Sequence, residues 1–135
     1  MVNKKVTAII QARYNSVRFP GKILKKINNV TILEILIKRL SQSKLIKEII
    51  VSCSNNPKDK KIIYLCKKLS INYYVGSEKN LLSRYYKTAK KFHVGNILRI
   101  TGDCPLIDSK LIDRLISNFF DNDCDYASNV INPTF

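Results

Sequence analysis

Short apolar runs rich in β-branched residues alternate along this chain with longer segments of helical periodicity, and this alternation constrains the fold more than any other feature. The runs at residues 6–10, 49–51, 72–75 and 97–100 have the length and composition of buried strands. Helix-like segments separate them, which is the pattern of parallel strands joined by crossover helices. We therefore predict an α/β fold in three layers around a mostly parallel sheet, with a further strand near residues 125–128.

Capping residues mark where the predicted helices begin. Thr31 and Glu34 form a capping box, Asn56 precedes a proline, and Asp108 precedes the last periodic segment. Residues 22–27 are predicted to be extended, with a turn at 28–29. The side chains predicted to face the core are Ile32, Ile35, Leu36 and Leu40 in the first helix, Ile62, Ile63, Cys66 and Leu69 in the second, Leu81, Leu82, Tyr85, Ala89 and Phe92 in the third, and Leu111, Ile112, Leu115, Ile116 and Phe119 in the fourth.

A basic loop follows the first predicted strand. It carries Arg13, Ser16, Arg18 and Lys22 without an acidic residue, and a Pro-Gly pair turns the chain just before the lysine. Arginine forks, a lysine charge and loop amides at the carboxyl end of a strand suit a ligand with several phosphates. The alternative is an ordinary solvated basic loop. The stretch matches neither the P-loop nor the G-x-G-x-x-G spacing.

A second polar turn leaves the fourth predicted strand at Gly102 and Asp103. If the first and fourth strands are neighbours, Asp103 lies at the same edge as the basic loop. A carboxylate opposite several cations suits the Mg²⁺ that accompanies a nucleoside triphosphate, because Mg²⁺ prefers one or two carboxylates plus phosphate oxygens and water. The alternative for Asp103 is a turn-forming role, whereas Asp108 is interpreted as a helix cap.

Composition excludes several classes of protein. No apolar segment approaches the roughly 20 residues of a membrane span, and the first residues do not resemble a signal peptide, so we expect a cytoplasmic protein with no membrane partner. The four cysteines are far apart and only one histidine is present, which predicts neither a metal cluster nor a disulfide framework. We interpret the cysteines as mostly buried, and His93 as a capping or surface residue.

The charge is unevenly distributed. Residues 1–100 carry 22 basic and 4 acidic side chains, and residues 101–135 carry 2 basic and 6 acidic ones. Such an asymmetry is compatible with a nucleic-acid surface. However, most of the cations are lysines spread along helices in a chain rich in asparagine and isoleucine, a mixture that biased base composition also produces. We therefore expect solvated charge and no nucleic-acid partner, and keep the binding module as the non-enzymatic alternative.

Two of the segments described above resemble motifs of the sugar cytidylyltransferases. Residues 8–22 read Ala-Ile-Ile-Gln-Ala-Arg-Tyr-Asn-Ser-Val-Arg-Phe-Pro-Gly-Lys, and residues 99–108 read Arg-Ile-Thr-Gly-Asp-Cys-Pro-Leu-Ile-Asp. Both are most similar to the spore-coat polysaccharide branch, which is related to the enzymes that make CMP-Kdo and CMP-sialic acid. Residues 76–85 and 125–129 resemble a third and a fourth motif, so the similarity extends over nearly the whole chain.

This resemblance implies a Rossmann-like nucleotidyltransferase fold, CTP and Mg²⁺ as ligands, and transfer of CMP to a hydroxyl of an acidic or amino sugar with release of pyrophosphate. By motif position, Arg13, Ser16 and Lys22 would hold the triphosphate, with Arg13 and Lys22 catalytic, Arg18 assisting and Asp103 on the metal. The remaining nucleotide-binding candidates are Ala12, Ser54, Ser77 and Arg84.

Selection of cytosine requires polar loop groups that both donate and accept hydrogen bonds. The candidates follow the second and third predicted strands and are Ser52, Ser54, Asn55 and Ser77. Ordinary roles in turns and helix caps explain these four residues equally well.

Members of the resembling family are considerably longer, and their second half supplies sugar contacts and the dimer-forming segment. We therefore predict that residues 1–135 are a single nucleotide-binding domain whose C-terminal part is missing, and that the full-length protein is a homodimer. A nucleotidyltransferase of other base specificity and a catalytically inactive remnant remain as further alternatives.

Overall fold

The computed structural model describes residues 4–130, in which helices and strands alternate along the chain. Two short 3₁₀ turns, at Lys22–Leu24 and Pro57–Asp59, lie between the regular elements. In chain order these elements are β1 (Val6–Gln11), β2 (Lys26–Ile27), β3 (Val30–Thr31), α1 (Ile32–Leu40), β4 (Ile46–Ser54), α2 (Lys60–Lys68), β5 (Asn72–Gly76), α3 (Leu81–Lys91), β6 (Ile97–Thr101) and α4 (Ser109–Asp121).

Four parallel strands form the main sheet in the order β5-β4-β1-β6. Strand β1 is central and pairs with β4 on one side and β6 on the other, so that Gln11 lies beside both Ser52 and Thr101. The carboxyl ends of all four strands therefore meet at one edge. The chain order reverses at β1, and such a switch point is where open α/β sheets form their ligand crevice.

Helices cover both faces of this sheet. Ala8, Ile10, Val51 and Cys53 share one face and belong to a core that includes buried side chains of α1, α2 and α4. Ser52 points to the opposite face because side chains alternate along a strand, and its hydroxyl lies 3.0 Å from that of Thr88 in α3. The predicted three-layer α/β architecture is confirmed.

Hydrogen bonds confirm the predicted caps of α1 and α4, whereas Asn56 caps the 3₁₀ turn Pro57–Asp59 that leads into α2. The side-chain oxygen of Thr31 accepts from the backbone of Glu34 at 3.2 Å, that of Asn56 accepts from Lys58 at 3.0 Å, and that of Asp108 accepts from Lys110 at 2.7 Å. Each bond satisfies a backbone donor that the first helical turn leaves unpaired.

The inward faces of two helices differ from the prediction. In α1 the buried stripe is Leu33, Leu36, Ile37 and Leu40, at the i, i+3, i+4, i+7 spacing of a helix packed on a sheet, whereas Ile32 and Ile35 are only half-buried. In α2, Leu65 is buried in addition to the predicted residues, and Ile63 is half-buried but packs against the core as predicted.

Helix α3 departs further from the prediction: Tyr85 is buried as predicted, but Leu82 is 81% exposed, and Arg84 and Thr88 are buried instead. The sheet face beneath α3 carries the polar side chain of Ser52 beside the buried Ile9 and Ile50, and the hydroxyl of Thr88 in the helix meets that of Ser52. A prediction made from apolar periodicity alone misses such an interface.

Two predicted extended segments are wrong. Residues 22–27 begin with the 3₁₀ turn and form only the two-residue strand β2, which pairs with β3 across Asn28 and Asn29, both in the left-handed region. Residues 125–128 form no strand. Helix α4 ends before Asp123, whose φ is positive, and no strand within residues 4–130 pairs with the segment that follows.

Other predictions from composition have mixed outcomes. Cys53 and Cys66 are buried, but Cys104 is exposed and Cys124 is half-buried, and all four are free thiols. His93 is exposed just beyond α3 with a positive φ, which confirms its surface position at a helix end. Within residues 4–130, no helix has both the length and the apolar character needed to cross a bilayer.

Candidate functional site at the carboxyl edge of the sheet

The basic loop, residues 12–22, is closed on itself and anchored to β4. The backbone N–H of Ala12 donates to Ser52 at 3.0 Å, and that of Gly21 donates to the carbonyl of Tyr14 at 2.8 Å. Gly21 has a φ of +69°, and a β-carbon there would lie 2.8 Å from the ring of Tyr14, so this turn requires glycine. The loop therefore has fixed ends, and its tip is exposed to solvent at Val17 and Arg18.

The polar turn after β6 lies directly beside the end of β1. The backbone N–H of Gly102 donates to the carbonyl of Gln11 at 2.9 Å. A β-carbon on Gly102 would approach that carbonyl oxygen to 2.8 Å, so only glycine permits this distance. This contact fixes the position of Asp103, the next residue.

Lys22 and Asp103 connect the two motifs. The ammonium group of Lys22 donates a hydrogen bond to the carboxylate of Asp103, across 81 positions of sequence. This hydrogen bond lowers the pKa of Asp103 below its ordinary value, and partial burial opposes the shift. The expectation that Asp103 lies at the same edge as the basic loop is confirmed, and Asp103 is ionised at neutral pH.

The other predicted triphosphate ligands lie on the same loop. Arg13 and Arg18 are exposed, Ser16 is half-buried, and Ala12 is buried beneath them. Cations in such positions can reach an anionic ligand without a costly release from internal partners. The space between the loop and the Asp103 turn, called the cleft below, is thus bordered by several positive charges and by the carboxylate of Asp103.

Two of the four serine and asparagine candidates for base selection are engaged internally. Ser52 is fully buried against Thr88, and Ser54, 1% exposed, donates its hydroxyl to Asp59 at 2.6 Å. Asn55 is exposed, and the hydroxyl of Ser77 accepts from the backbone of Asn80 at 3.1 Å. Asn55 and Ser77 therefore remain accessible from the cleft side of the loops.

Arg84 is placed behind the loop that carries Ser77. It is 3% exposed and donates from Nη1 to the carbonyl of Ser77 at 2.8 Å, whereas its Nε has no partner within the described chain. Burial lowers the pKa of Arg84, and the nearby charge of Asp59 opposes that shift. The buried guanidinium thus holds the backbone of the Ser77 loop, and its Nε is left without a hydrogen-bond partner among the described residues.

Sequence reasoning missed two acidic residues that organise these loops. Asp59 is fully buried and accepts hydrogen bonds from the backbone of Tyr14 and from both the backbone and the hydroxyl of Ser54. Glu78 accepts from the side-chain amides of Asn15 at 3.1 Å and Asn56 at 3.0 Å.

These hydrogen bonds, that from Asn56 first, lower the pKa of Glu78. In the sequence, Asp59 and Glu78 were distinguished by the scarcity of acidic residues, because residues 1–100 contain only four acidic side chains.

Metal binding at this edge would rest on Asp103. No group of three or more potential metal-ligating side chains occurs within the part of the chain that the structure describes. One carboxylate beside several cations is unsuited to an all-protein metal cage, but it fits Mg²⁺ that arrives on a triphosphate and takes most of its ligands from phosphate and water.

A basic loop and a carboxylate at the switch point of a parallel sheet are the arrangement expected of a nucleotidyltransferase of Rossmann-like fold. A family profile described as "Cytidylyltransferase" matches residues 7–135. The chain belongs to the cytidylyltransferase family.

Similar proteins were found by sequence and by structure. The chain is 43% identical over 125 residues to an uncharacterised protein of Methanocaldococcus jannaschii, covering 92% of this chain and 51% of that one. It is 34% identical over 123 residues to the spore coat polysaccharide biosynthesis protein SpsF of Bacillus subtilis, covering 88% and 51%. This similarity confirms the branch that the motifs indicated.

Among solved structures, a cytidylyltransferase from Leptospira borgpetersenii superposes with a TM-score of 0.83 at 39% identity, covering 88% of this chain and 50% of that chain. A CMP-2-keto-3-deoxy-manno-octonic acid synthetase complexed with CTP superposes with a TM-score of 0.75 at 20% identity, covering 87% and 48%, and confirms the fold. The chain spans about half the length of these relatives.

Proposed function

We propose that this chain binds CTP with Mg²⁺ in the cleft between the basic loop and the Asp103 turn, for transfer of CMP to a sugar hydroxyl. The contact between Lys22 and Asp103 carries the proposal, because it brings a cation and a carboxylate from the two motifs within reach of one triphosphate. The family supports the use of CTP, and the CTP complex of a structural neighbour supports the choice of this nucleotide.

In the proposed reaction, an oxygen of the sugar hydroxyl forms a bond to the α-phosphorus of CTP, and the bond from that phosphorus to the bridging oxygen of pyrophosphate breaks. The hydroxyl proton leaves to solvent. Such transfers depend on positioning and on neutralising charge that grows on the leaving oxygens. Arg13 and Lys22 supply that charge, and the Ser16 hydroxyl and the Arg18 guanidinium add donors to the phosphates. Asp103 would hold Mg²⁺ on the protein side, and the ion would supply further positive charge to the phosphates.

The remaining candidates take different places in this proposal. Ala12 lines the floor of the cleft, and Ser77 and Arg84 lie on the side where the base would bind. Ser54 supports the site from behind, because its hydroxyl is buried and already donates to Asp59. This assignment leaves Asn55 and Ser77 as the accessible side chains for reading cytosine.

An acidic or amino sugar is the acceptor class we propose, since one sequence relative is a spore coat polysaccharide protein and one structural neighbour is a synthetase for a keto-deoxy sugar acid. A role in surface polysaccharide synthesis and a homodimer of the full-length protein belong to the same proposal. The cytoplasmic location stays a prediction.

Titration calorimetry of the full-length protein with CTP, UTP, ATP and GTP in Mg²⁺ tests the nucleotide assignment. We expect CTP to bind most tightly, and Arg13→Ala to weaken CTP binding by at least about tenfold, which corresponds to about 1.4 kcal/mol. The control variants Lys67→Ala and Lys68→Ala remove cations of α2 and should leave CTP affinity unchanged. Absence of CTP binding overturns the proposal, and tighter binding of another nucleotide changes its base specificity.

Affinity for RNA that depends on Lys67 and Lys68 would instead favour the nucleic-acid module, whose binding falls steeply with salt. Pyrophosphate release on addition of candidate sugars tests the transfer step. Binding of CTP without release from any acidic or amino sugar would contradict the proposed reaction.

A further inference from the structure

Asp59 is a fully buried carboxylate that joins two separate segments of the site. One oxygen accepts the backbone N–H of Tyr14 in the basic loop at 2.7 Å. The other accepts the backbone N–H and the hydroxyl of Ser54, at the end of β4, at 2.8 and 2.6 Å. Tyr14 is 45 positions away from Asp59, so this contact is made only when the basic loop has its folded shape.

The conformation of the basic loop depends on this contact because Tyr14 lies at the point where the loop closes on itself. The carbonyl of Tyr14 closes the loop by accepting from Gly21, and Arg13 directly precedes it. Asp59 thus holds the backbone between the arginine at the start of the loop and the turn that leads to Lys22. A shift of Tyr14 would move both cations.

Burial of the Asp59 charge costs desolvation free energy. Hydrogen bonds from the backbone and a nearby opposite charge reduce this cost. Arg84, itself 3% exposed, lies close enough for the two charges to interact. The same negative charge adds to burial in raising the pKa of Cys53 to about 11. A buried carboxylate with three hydrogen bonds therefore holds the backbone of Tyr14 and that of Ser54 in fixed positions.

We propose that Asp59 is a positioning residue that holds the basic loop in the conformation that binds the triphosphate before the nucleotide arrives. The inference rests on the proposed function of the cleft and adds a residue that does not touch the ligand. A loop ordered in advance loses less conformational freedom on binding, which increases affinity.

Asp113 provides a matched control for this role. Its carboxylate likewise accepts from one serine hydroxyl, that of Ser43, and from two backbone N–H groups, those of Lys44 and Leu45, at 3.0 and 3.2 Å. These residues precede β4 and lie at the amino end of the sheet, opposite the cleft. Loss of Asp113 therefore removes a comparable loop anchor without altering the basic loop.

The test compares Asp59→Asn with Asp113→Asn in the full-length protein, with folding verified by circular dichroism and CTP affinity measured by calorimetry below the unfolding temperature. An asparagine in place of Asp59 keeps the shape but loses the charge and presents an N–H₂ group to one of the donors. We expect Asp59→Asn to weaken CTP binding at least about tenfold and Asp113→Asn to change it less than about twofold. Equal affinities of Asp59→Asn and wild type would overturn the inference.

Hydrogen exchange of the Tyr14 amide in the wild-type protein tests the inference even if Asp59→Asn does not fold. We expect Tyr14 to be protected without nucleotide and to gain little protection from CTP. Free exchange of this amide without nucleotide, followed by protection on binding, would show that CTP orders the loop and would overturn the inference. If the wild-type protein binds no CTP while Tyr14 is protected, the proposed function fails and the anchoring role of Asp59 does not.

Discussion

Lys22 and Asp103 neutralise each other in this structure, although each has a further task in the proposed complex. Both side chains are partly exposed, at 31% and 40%, so water screens their attraction and either group can change partners at low cost. A triphosphate offers Lys22 more negative charge than one carboxylate, and the accompanying Mg²⁺ offers Asp103 more positive charge than one ammonium. The pair therefore keeps both side chains in the cleft until they exchange partners.

Removal of the lysine should affect binding more than stability. Lys22→Ala is expected to weaken CTP binding at least about tenfold and to lower the melting temperature little, because exposed ion pairs contribute at most about 1 kcal/mol. The same variant should raise the pKa of Asp103 toward the ordinary range of an aspartate, since its hydrogen-bond donor is lost. Calorimetry and NMR titration measure the two effects.

Lys4, which forms an exposed ion pair with Asp121 outside the site, is the matched control for this variant. Lys4→Ala should leave CTP affinity unchanged. Equal binding losses in the two variants would mean that general positive charge, and not the cleft, attracts the nucleotide.

The cysteines should separate by reactivity. Burial raises the pKa of Cys53 to about 11 and that of Cys66 to about 12, so at pH 7.5 both are thiols and both are inaccessible. Cys104 is exposed beside Asp103. Mass spectrometry after brief iodoacetamide treatment should find Cys104 modified and the buried pair unmodified, with CTP and Mg²⁺ slowing the modification. Faster labelling of Cys53 than of Cys104 would contradict the described core.

The role of a residue was predictable from the sequence where a charged side chain lies in a motif that follows a predicted strand. Lys22 and Asp103 follow strands whose adjacency was a condition of the prediction, and the pairing of β1 with β6 meets that condition. Asp59 was not predictable, because its role depends on a contact with Tyr14 that no local pattern records. Ser54 was predicted as a ligand because it follows a strand, but the structure turns its hydroxyl toward Asp59.

At the scale of elements, the glycine after β6 determines how closely the Asp103 turn approaches β1. Gly102→Ala places a β-carbon 2.8 Å from the carbonyl oxygen of Gln11, and backbone must move to relieve the contact. We expect a loss of about 1–3 kcal/mol in the free energy of unfolding, together with weaker CTP binding. Urea denaturation measures the first effect and calorimetry the second.

Gly95 supplies the control, since a β-carbon there meets nothing within 4 Å. Gly95→Ala should change stability by less than about 0.5 kcal/mol. If Gly102→Ala is equally neutral, the close approach of the two loops is not what positions Asp103.

Two aspartates five positions apart should show opposite effects. Asp108 caps α4 by accepting from the backbone of Lys110 and Leu111, so Asp108→Ala should cost about 1 kcal/mol of stability with CTP affinity retained. Asp103→Ala should leave stability nearly unchanged and abolish the dependence of CTP binding on Mg²⁺. If the Asp108 variant loses the dependence of CTP binding on Mg²⁺ instead, Asp103 is not the carboxylate that holds the metal.

Element types and caps were predictable because they follow from local spacing, whereas the buried face of α3 was not. That helix packs polar side chains against a sheet face that includes Ser52, and Leu82 is consequently left in solvent. The prediction of a strand at residues 125–128 was wrong because no strand within residues 4–130 pairs with this segment.

At the scale of the whole molecule, the sheet order places one crevice at the reversal point beside β1. Both motifs open into it although about 80 residues separate them, and no part of this arrangement depends on the abundant lysines of α2 and α3. The net charge of +14 should therefore influence the rate at which CTP arrives and its salt dependence more than its final position.

Backbone amide shifts recorded by NMR during a titration with CTP and Mg²⁺ test most directly whether the two motifs form one nucleotide site. We predict that amides of residues 12–22 and of Gly102 and Asp103 shift together with a single dissociation constant, while amides of α2 and of the amino edge of the sheet do not. Shifts confined to one of the two loops, or spread over the lysine-rich helices, would contradict the account.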